Sequence, residues 1–460
     1  MARVSHLAMP RRAAEAQPPA LPSAMTPEIT HKSVLENGIR VLTHPMEGSR
    51  WAAIGILIEC GTRDEAQGEH GLAQLTERVL FQGAGRRSGL EIAREIARTG
   101  GECGGVTSRD YTLCFARVGC ENVGPALELL ADVVQNPVFP AEDIEMEKRV
   151  ILREMEMVRD TPARLAREQL LAGVWGEHAL GRPVAGSPKA LKRLDRNSIA
   201  SFHERHYRPG RIIVSAAGPL SHESFVTRAS DCFWRLKGET TPRLPNPGLW
   251  REATMRAALD SRQSYFCVGL PAAPCGHPGR HLFDLLDRVL GGGTSSRLYR
   301  RLRNELGLVY DVRSEYLSYR DGGMWMVEGT AAPEFEQQAV SAVLEQLEDL
   351  GDRGVDEEEL WIAKRKIHCR LAMGSQDPYR VMRRSATQET YFGKTIPLDL
   401  IRHSVDRVGQ EQIASAAEQY LCGSLPEAGV VCVGPGPASG DRAIAAAVGR
   451  LRRRRPRHVQ

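Results

Sequence analysis

The sequence predicts a mixed α/β fold, an α+β sandwich of two homologous domains of about 200 residues each, a common domain size. Three observations carry that reading. Hydrophobic spacing switches repeatedly between the period of a strand and that of a helix. A weakly periodic stretch at 237–250, with Pro242, Pro245 and Pro247, divides the chain. The order of elements after that stretch resembles the order before it. Layered sheets covered by helices follow from such a pattern.

The elements are read in turn. His31 to Pro45 is strand–turn–strand around Glu36-Asn37-Gly38, and Trp51 to Glu59 is a β-rich run. Gly71 to Gln82 is a helix with Leu72, Leu75 and Val79 on one face, and Leu90 to Arg98 is a second, stopped by Gly100-Gly101. Val106 to Val118 alternates like one strand. Asn122 to Gln135, Asp143 to Val158 and Leu165 to Val174 are helical, and Ile212 to Ala217 is a short apolar strand. After the linker, Tyr265 to Leu270 and Met324 to Gly329 are strands. His281 to Leu290, Glu334 to Leu350 and Glu357 to Leu371 are helices, and Val430 to Val433 closes the half. The expected boundaries are 28–236 and 251–436, with a flexible segment at 1–27 and an Arg-rich tail at 437–460.

Composition excludes several classes. The chain has 460 residues, 42% hydrophobic and 26% charged, and no apolar run long enough to span a membrane. The net charge of +4 comes from the ends: six Arg between 450 and 457, with Arg3, Arg11 and Arg12, outweigh an acidic body. A nucleic-acid partner is not expected. Ten singly scattered Cys make no C-x-x-C pair, which suits buried free thiols in a reducing compartment. The first 25 residues lack an apolar signal core, so cytoplasm is expected, with the mitochondrial matrix as the alternative.

The chemistry centres on Gly71-Leu-Ala-Gln-Leu-Thr-Glu-Arg-Val-Leu-Phe-Gln-Gly83. This helix resembles the zinc-site helix of the pitrilysin/insulinase-type (M16) metallopeptidases, which include mitochondrial processing peptidase and the core subunits of cytochrome bc1. Their motif is H-x-x-E-H: two His one turn apart ligate Zn²⁺ and the Glu activates water. Here Gln74 and Arg78 stand in the His positions, and Glu77 remains. The resemblance places the distal metal ligand at Glu154 and a second acidic position at Glu147. Glu77, Glu147 and Glu154 would then form an acidic cluster with Arg78 as its counter-charge in place of zinc. From the residues alone, the same four side chains read equally as salt-bridged surface helices.

Two further segments extend the resemblance from roughly Glu28 to Gly436. Ser296-Arg-Leu-Tyr-Arg-Arg-Leu-Arg303 and the following Gly-Leu-Val-Tyr310 resemble the family's signature for an Arg/Tyr pair. It implies that Arg303 and Tyr310 contact peptide, or a developing oxyanion, across a clamshell of which this chain forms half. Read alone, Arg303 is a surface charge and Tyr310 a core aromatic. Gly100 to Thr112 resembles the edge strand to which substrate peptide adds, with Gly104-Gly105 replacing Asn–Ala and Thr107 retained.

The remaining His are expected to be structural. His70 precedes the helix, His203 and His206 lie three apart, and His277 and His281 straddle Pro278-Gly279. Gly291-Gly292-Gly293 is a close-packed turn, since it lacks a phosphate-loop pattern. Together these imply a chain that binds no metal or cofactor. It would pair with a zinc-bearing M16 paralogue in a heterodimer and bind an extended peptide. A purely structural core-type subunit, or a peptide-binding module without proteolysis, is the alternative.

Overall fold

Two sheets organise the chain in the computed structural model, which describes residues 29–238, 243, 246–435 and 449. The expected segment 1–27, part of the linker and, save residue 449, the Arg-rich tail lie outside the described residues. The first sheet has the order β1-β2-β8-β3-β7-β6. Its strands are β1 (His31–Val34), β2 (Arg40–Pro45), β3 (Trp51–Ile58), β6 (Glu102–Thr107), β7 (Thr112–Gly119) and β8 (Ile212–Gly218). A small hairpin, β4 (Gly83–Ala84) with β5 (Arg87–Ser88), stands beside it. The second sheet runs β11-β12-β10-β13-β9. It comprises β9 (Thr254–Ala257), β10 (Ser264–Ala272), β11 (Val309–Ser318), β12 (Gly323–Ala331) and β13 (Gly429–Val433).

Eight helices precede the linker among the described residues. They are α1 (Leu72–Leu80), α2 (Gly89–Arg98), α3 (Val123–Gln135), α4 (Ala141–Arg159), α5 (Pro162–Trp175), α6 (Pro188–Leu191), α7 (Arg196–His206) and α8 (His222–Phe233). Six follow it: α9 (Arg280–Gly291), α10 (Glu336–Arg353), α11 (Glu357–Ser375), α12 (Pro378–Phe392), α13 (Leu398–Asp406) and α14 (Gln410–Ala417). Among the described residues no helix is long and apolar enough to cross a membrane.

The expected single strand over Val106–Val118 is corrected: it is a hairpin, β6 and β7, paired Gly105 to Cys114 and Thr107 to Thr112. The turn Ser108–Tyr111 contains no Gly or Pro, so the apolar alternation runs through it. This hairpin makes β6 the edge of the first sheet, with one side of its backbone unpaired by any strand among the described residues.

Both faces of the central strands of each sheet are buried, and the alternation of side chains shows how. In β3, Ile54, Ile56 and Ile58 pack with α1, α3, α7 and α8. On the reverse face, Ala53 and Leu57 pack with Leu42, Leu113 and Ile213 against Val381, Met382 and Ala386 of α12. That helix belongs to the second half of the sequence. The exchange is reciprocal. Phe266, Val268 and Leu270 of β10 face α9 and α10, whereas Cys267, Met324 and Val431 face Leu170, Leu171 and Val174 of α5, from the first half. Two glycines make the seats. A Cβ on Gly55 would lie 2.4 Å from Met382 Sδ, and one on Gly429 would lie 2.4 Å from Val174 Cγ1.

A buried polar hub joins the halves. Asp110, at the tip of the β6–β7 turn, is fully buried. Its Oδ1 accepts from Arg63 Nη1 at 3.0 Å, and its Oδ2 from Tyr391 OH at 3.1 Å and Arg320 N at 3.2 Å. Arg63 also pairs with Asp321 at 2.6 Å, and Asp321 accepts from Asn246 N at 2.6 Å. A buried charge must be paired in this way to be tolerated.

Candidate functional site

The site is built on α1. Its start is fixed by Glu65, which is buried and accepts from Gly71 N at 3.1 Å and Ala73 N at 2.8 Å. The two amides are helix-terminal donors without intrahelical partners, and an acid there suits the helix dipole. Burial pushes the Glu65 carboxyl up to about 8 against those two hydrogen bonds. Sequence reading missed Glu65, because an acid in Arg63-Asp64-Glu65 resembles ordinary solvated charge. Its spacing just ahead of a helix start was the available signal.

Glu77 points under the edge strand. It is 6% exposed, and its Oε2 accepts from Thr107 Oγ1 at 3.2 Å. Gly105 is what admits it: a Cβ there would lie 2.0 Å from Glu77 Oε1. Burial pushes the Glu77 carboxyl up to about 7, opposed by the Arg78 charge and the Thr107 hydroxyl. Gly104 is backed by Phe115 of β7.

Arg78 turns the other way. Its Nη2 donates to Glu154 Oε1 on α4 at 2.6 Å, and both side chains are about one-third exposed. Glu147, on the same helix, is buried and accepts from Gln82 Nε2 at 2.9 Å. Burial also raises its carboxyl, against the field of Arg78. Glu147 and Glu154 add to the rise of the Glu77 carboxyl, Glu154 adds to that of Glu147, and both share the opposing charge of Arg78, while Thr107, Gln82 and Arg78 each hydrogen-bond one of the three acids. Gln74 is half-buried, and its Oε1 has no hydrogen-bond partner among the described residues.

This donor set does not fit Zn²⁺. A zinc site takes thiolate, imidazole or carboxylate ligands. Here a permanently protonated guanidinium grips Glu154 at 2.6 Å, and the other His position offers an amide. Among the described residues, only Cys60, Asp64 and His206 bring three ligand-type atoms within 4.8 Å of one another. Asp64 there already accepts from Arg243 at 2.8 Å and Gly61 N at 3.0 Å, while His206 Nδ1 meets Arg211 Nη1 at 3.1 Å. That cluster is a cation-rich structural knot.

The other imidazoles have local tasks. His203 Nε2 meets the Val134 carbonyl at 2.7 Å, and His277 accepts from Gly279 N at 3.0 Å and meets Tyr420 OH at 3.3 Å. His70 is half-buried, with Nε2 unpartnered among the described residues. The Gly291–Gly293 run closes α9 tightly, since a Cβ on Gly291 would lie 2.2 Å from Ser314 N.

Arg303 and Tyr310 stand apart on the second half. Arg303 is exposed on a π-helical turn, Tyr299–Glu305, with its guanidinium 5.5 Å from the Tyr299 ring centre. Tyr310 is 55% exposed, beside the β-bulge between Val309 and Asp311. A π-turn and a bulge are both devices that re-aim side chains. Neither residue lines the cleft that Gln74 and Glu154 share.

Comparison with known proteins agrees with this frame. Residues 40–188 match the family model "Insulinase (Peptidase family M16)", and residues 193–367 match "Peptidase M16 inactive domain". A protein named uncharacterized zinc protease from Mycobacterium tuberculosis is 31% identical over 418 residues, covering 90% of this chain and 94% of its own length. The Bacillus subtilis protein named uncharacterized zinc protease YmxG is 30% identical over 388 residues, 84% of this chain and 94% of its own. In fold, the chain is similar to the crystal structure of a peptidase M16 inactive domain from Pseudomonas fluorescens. The TM-score is 0.83 at 21% identity, covering 89% of this chain and 98% of that one. A protease from Helicobacter pylori superposes with a TM-score of 0.80 at 19% identity, over 88% and 99% of the two chains. The two matched models span most of the sequence, and the chain belongs to peptidase family M16.

Proposed function

We propose that this chain is the subunit of a heterodimeric M16-type metallopeptidase that holds no zinc of its own. It works beside a zinc-bearing paralogue, in the cytoplasm, on an extended peptide. The observation that carries the reading is the Arg78–Glu154 ion pair. It sets a fixed organic cation where a ligand would stand, so hydrolytic chemistry belongs to the companion. The outer edge of β6 at Gly104, Gly105 and Thr107, which no other strand among the described residues pairs, suits addition of a peptide strand. Arg303 and Tyr310 offer exposed donors for a peptide carbonyl or an oxyanion.

The test is co-expression with a zinc-bearing paralogue. The isolated chain should carry far less than one zinc and cleave nothing, and the complex should cleave unfolded peptides. In the complex, Arg303→Ala or Tyr310→Phe should lower kcat/KM by about 10–1,000-fold, as for lost oxyanion donors. Stoichiometric zinc in the isolated chain, with chelator-sensitive cleavage, would overturn the proposal.

A further inference from the structure

Between the C-terminal end of α4, the start of α5 and the loop 183–188 lies a cleft of about 700 Å³. That is within the roughly 300–1,000 Å³ of ligand sites. Gln74 and Glu154 reach it from the α1 site. Its wall carries four guanidiniums, those of Arg109, Arg159, Arg164 and Arg167, against two carboxylates, Glu154 and Glu168.

Glu154 is held by Arg78, and burial raises the Glu168 carboxyl, favouring its neutral acid, against the field of Arg109. Arg167 is engaged by Glu315 at 2.7 Å and Glu328 at 3.1 Å. Arg159 and Arg164 remain. Both are exposed, and among the described residues neither side chain makes a hydrogen bond or ion pair. The helix that supplies Arg164 opens on Thr161 without a side-chain cap or an acid in its first turn. Its N-terminal amides therefore add partial positive charge beside that arginine. The unpartnered Gln74 Oε1 is an acceptor suited to a backbone N–H.

We propose that this cleft receives a peptide carboxylate, from an Asp or Glu side chain or from the C-terminus, and so makes this chain selective for acidic peptides. The inference rests on the peptide-binding reading above. Arg159 and Arg164 make the charged contact, and Gln74 takes an amide of the same segment. Arginine suits this task because its planar fork matches a carboxylate.

The test uses the full chain and four otherwise identical twelve-residue peptides bearing a neutral fluorophore. One has a central Glu-Glu and an amidated end. One is neutral with a free C-terminal carboxylate. One is neutral and amidated, and one has a central Lys-Lys. Fluorescence anisotropy at low salt should show at least one carboxylate peptide binding roughly ten-fold tighter than the neutral amidated one. Whichever carboxylate peptide wins identifies the source. The double variant Arg159→Gln/Arg164→Gln should bring that ratio close to one, and both positions are exposed enough to spare the fold. Equal binding of all four would refute the acidic preference while leaving peptide binding intact. A ratio that survives the double substitution would place the carboxylate elsewhere and also refute it. Binding of none would overturn the peptide-binding reading and this inference together.

Discussion

Glu77→Gln tests the environment of the α1 site most directly. Glu77 is 6% exposed, and burial lifts its carboxyl from 4.5 to about 7. In the unfolded chain it titrates near 4.5. Below that value the acid is protonated in both states and costs nothing. As pH rises towards 7 the unfolded state releases its proton and the folded state does not, so stability falls through this window. The full loss is about 3 kcal/mol, most of which falls between pH 5 and pH 8. The substituted amide is neutral throughout and retains a partner for the Thr107 hydroxyl. The variant should therefore gain on the wild type as pH rises, by about 2–3 kcal/mol between those two pH values. Urea unfolding of both proteins at pH 5 and pH 8 measures this. Glu65, titrating near 8, and His44 and His206, held near 4, contribute equally to both and cancel in the difference. A wild-type-to-variant gap that stays constant from pH 5 to pH 8 would mean that Glu77 is a solvated carboxylate and the burial argument fails.

Gly105→Ala forces a Cβ against the Glu77 carboxyl and should destabilise by about 1–3 kcal/mol, seen as a lowered Tm. Combined with Glu77→Ala, which clears the space, much of that loss should return. The double substitution Gln74→His/Arg78→His restores two imidazoles one turn apart with Glu154 in reach of position 78. Elemental analysis should find close to one zinc per chain in the variant and far less in the parent. Met382→Ala empties the seat beside Gly55 and should cost about 2–5 kcal/mol in urea unfolding, although Met382 lies in the second half and the seat in the first.

The residues most legible in the sequence were those with a local pattern. Leu72, Leu75 and Val79 announce α1 because a helix needs only its own spacing to show a face. The frame of Arg303 and Tyr310 was visible as a motif, but the π-turn and bulge that aim them leave no mark in composition. The β6–β7 hairpin was hidden because Ser108–Tyr111 turns without Gly or Pro, its tip held by Asp110 reaching Arg63 across sequence. Likewise α12 shows no distinctive pattern until the reverse face of the first sheet supplies partners for Val381 and Met382. Arg78 and Glu154 could be aligned from the chain, whereas the separate partners of Glu77 and Glu147 required knowing that Gly105 and Gln82 stand above them.

The reciprocal loan of α5 and α12 has a consequence for synthesis. Ser215, on the central strand of the first sheet, hydrogen-bonds the Met382 carbonyl 167 residues later. At roughly 5–20 residues per second, a ribosome takes about 8 to 33 seconds to cover that interval. Throughout it, the nascent sheet shows water an oily face with its cover still unwritten. The chain's exposure to chaperones and to misassembly is thus set by the distance along the message between a seat and its occupant.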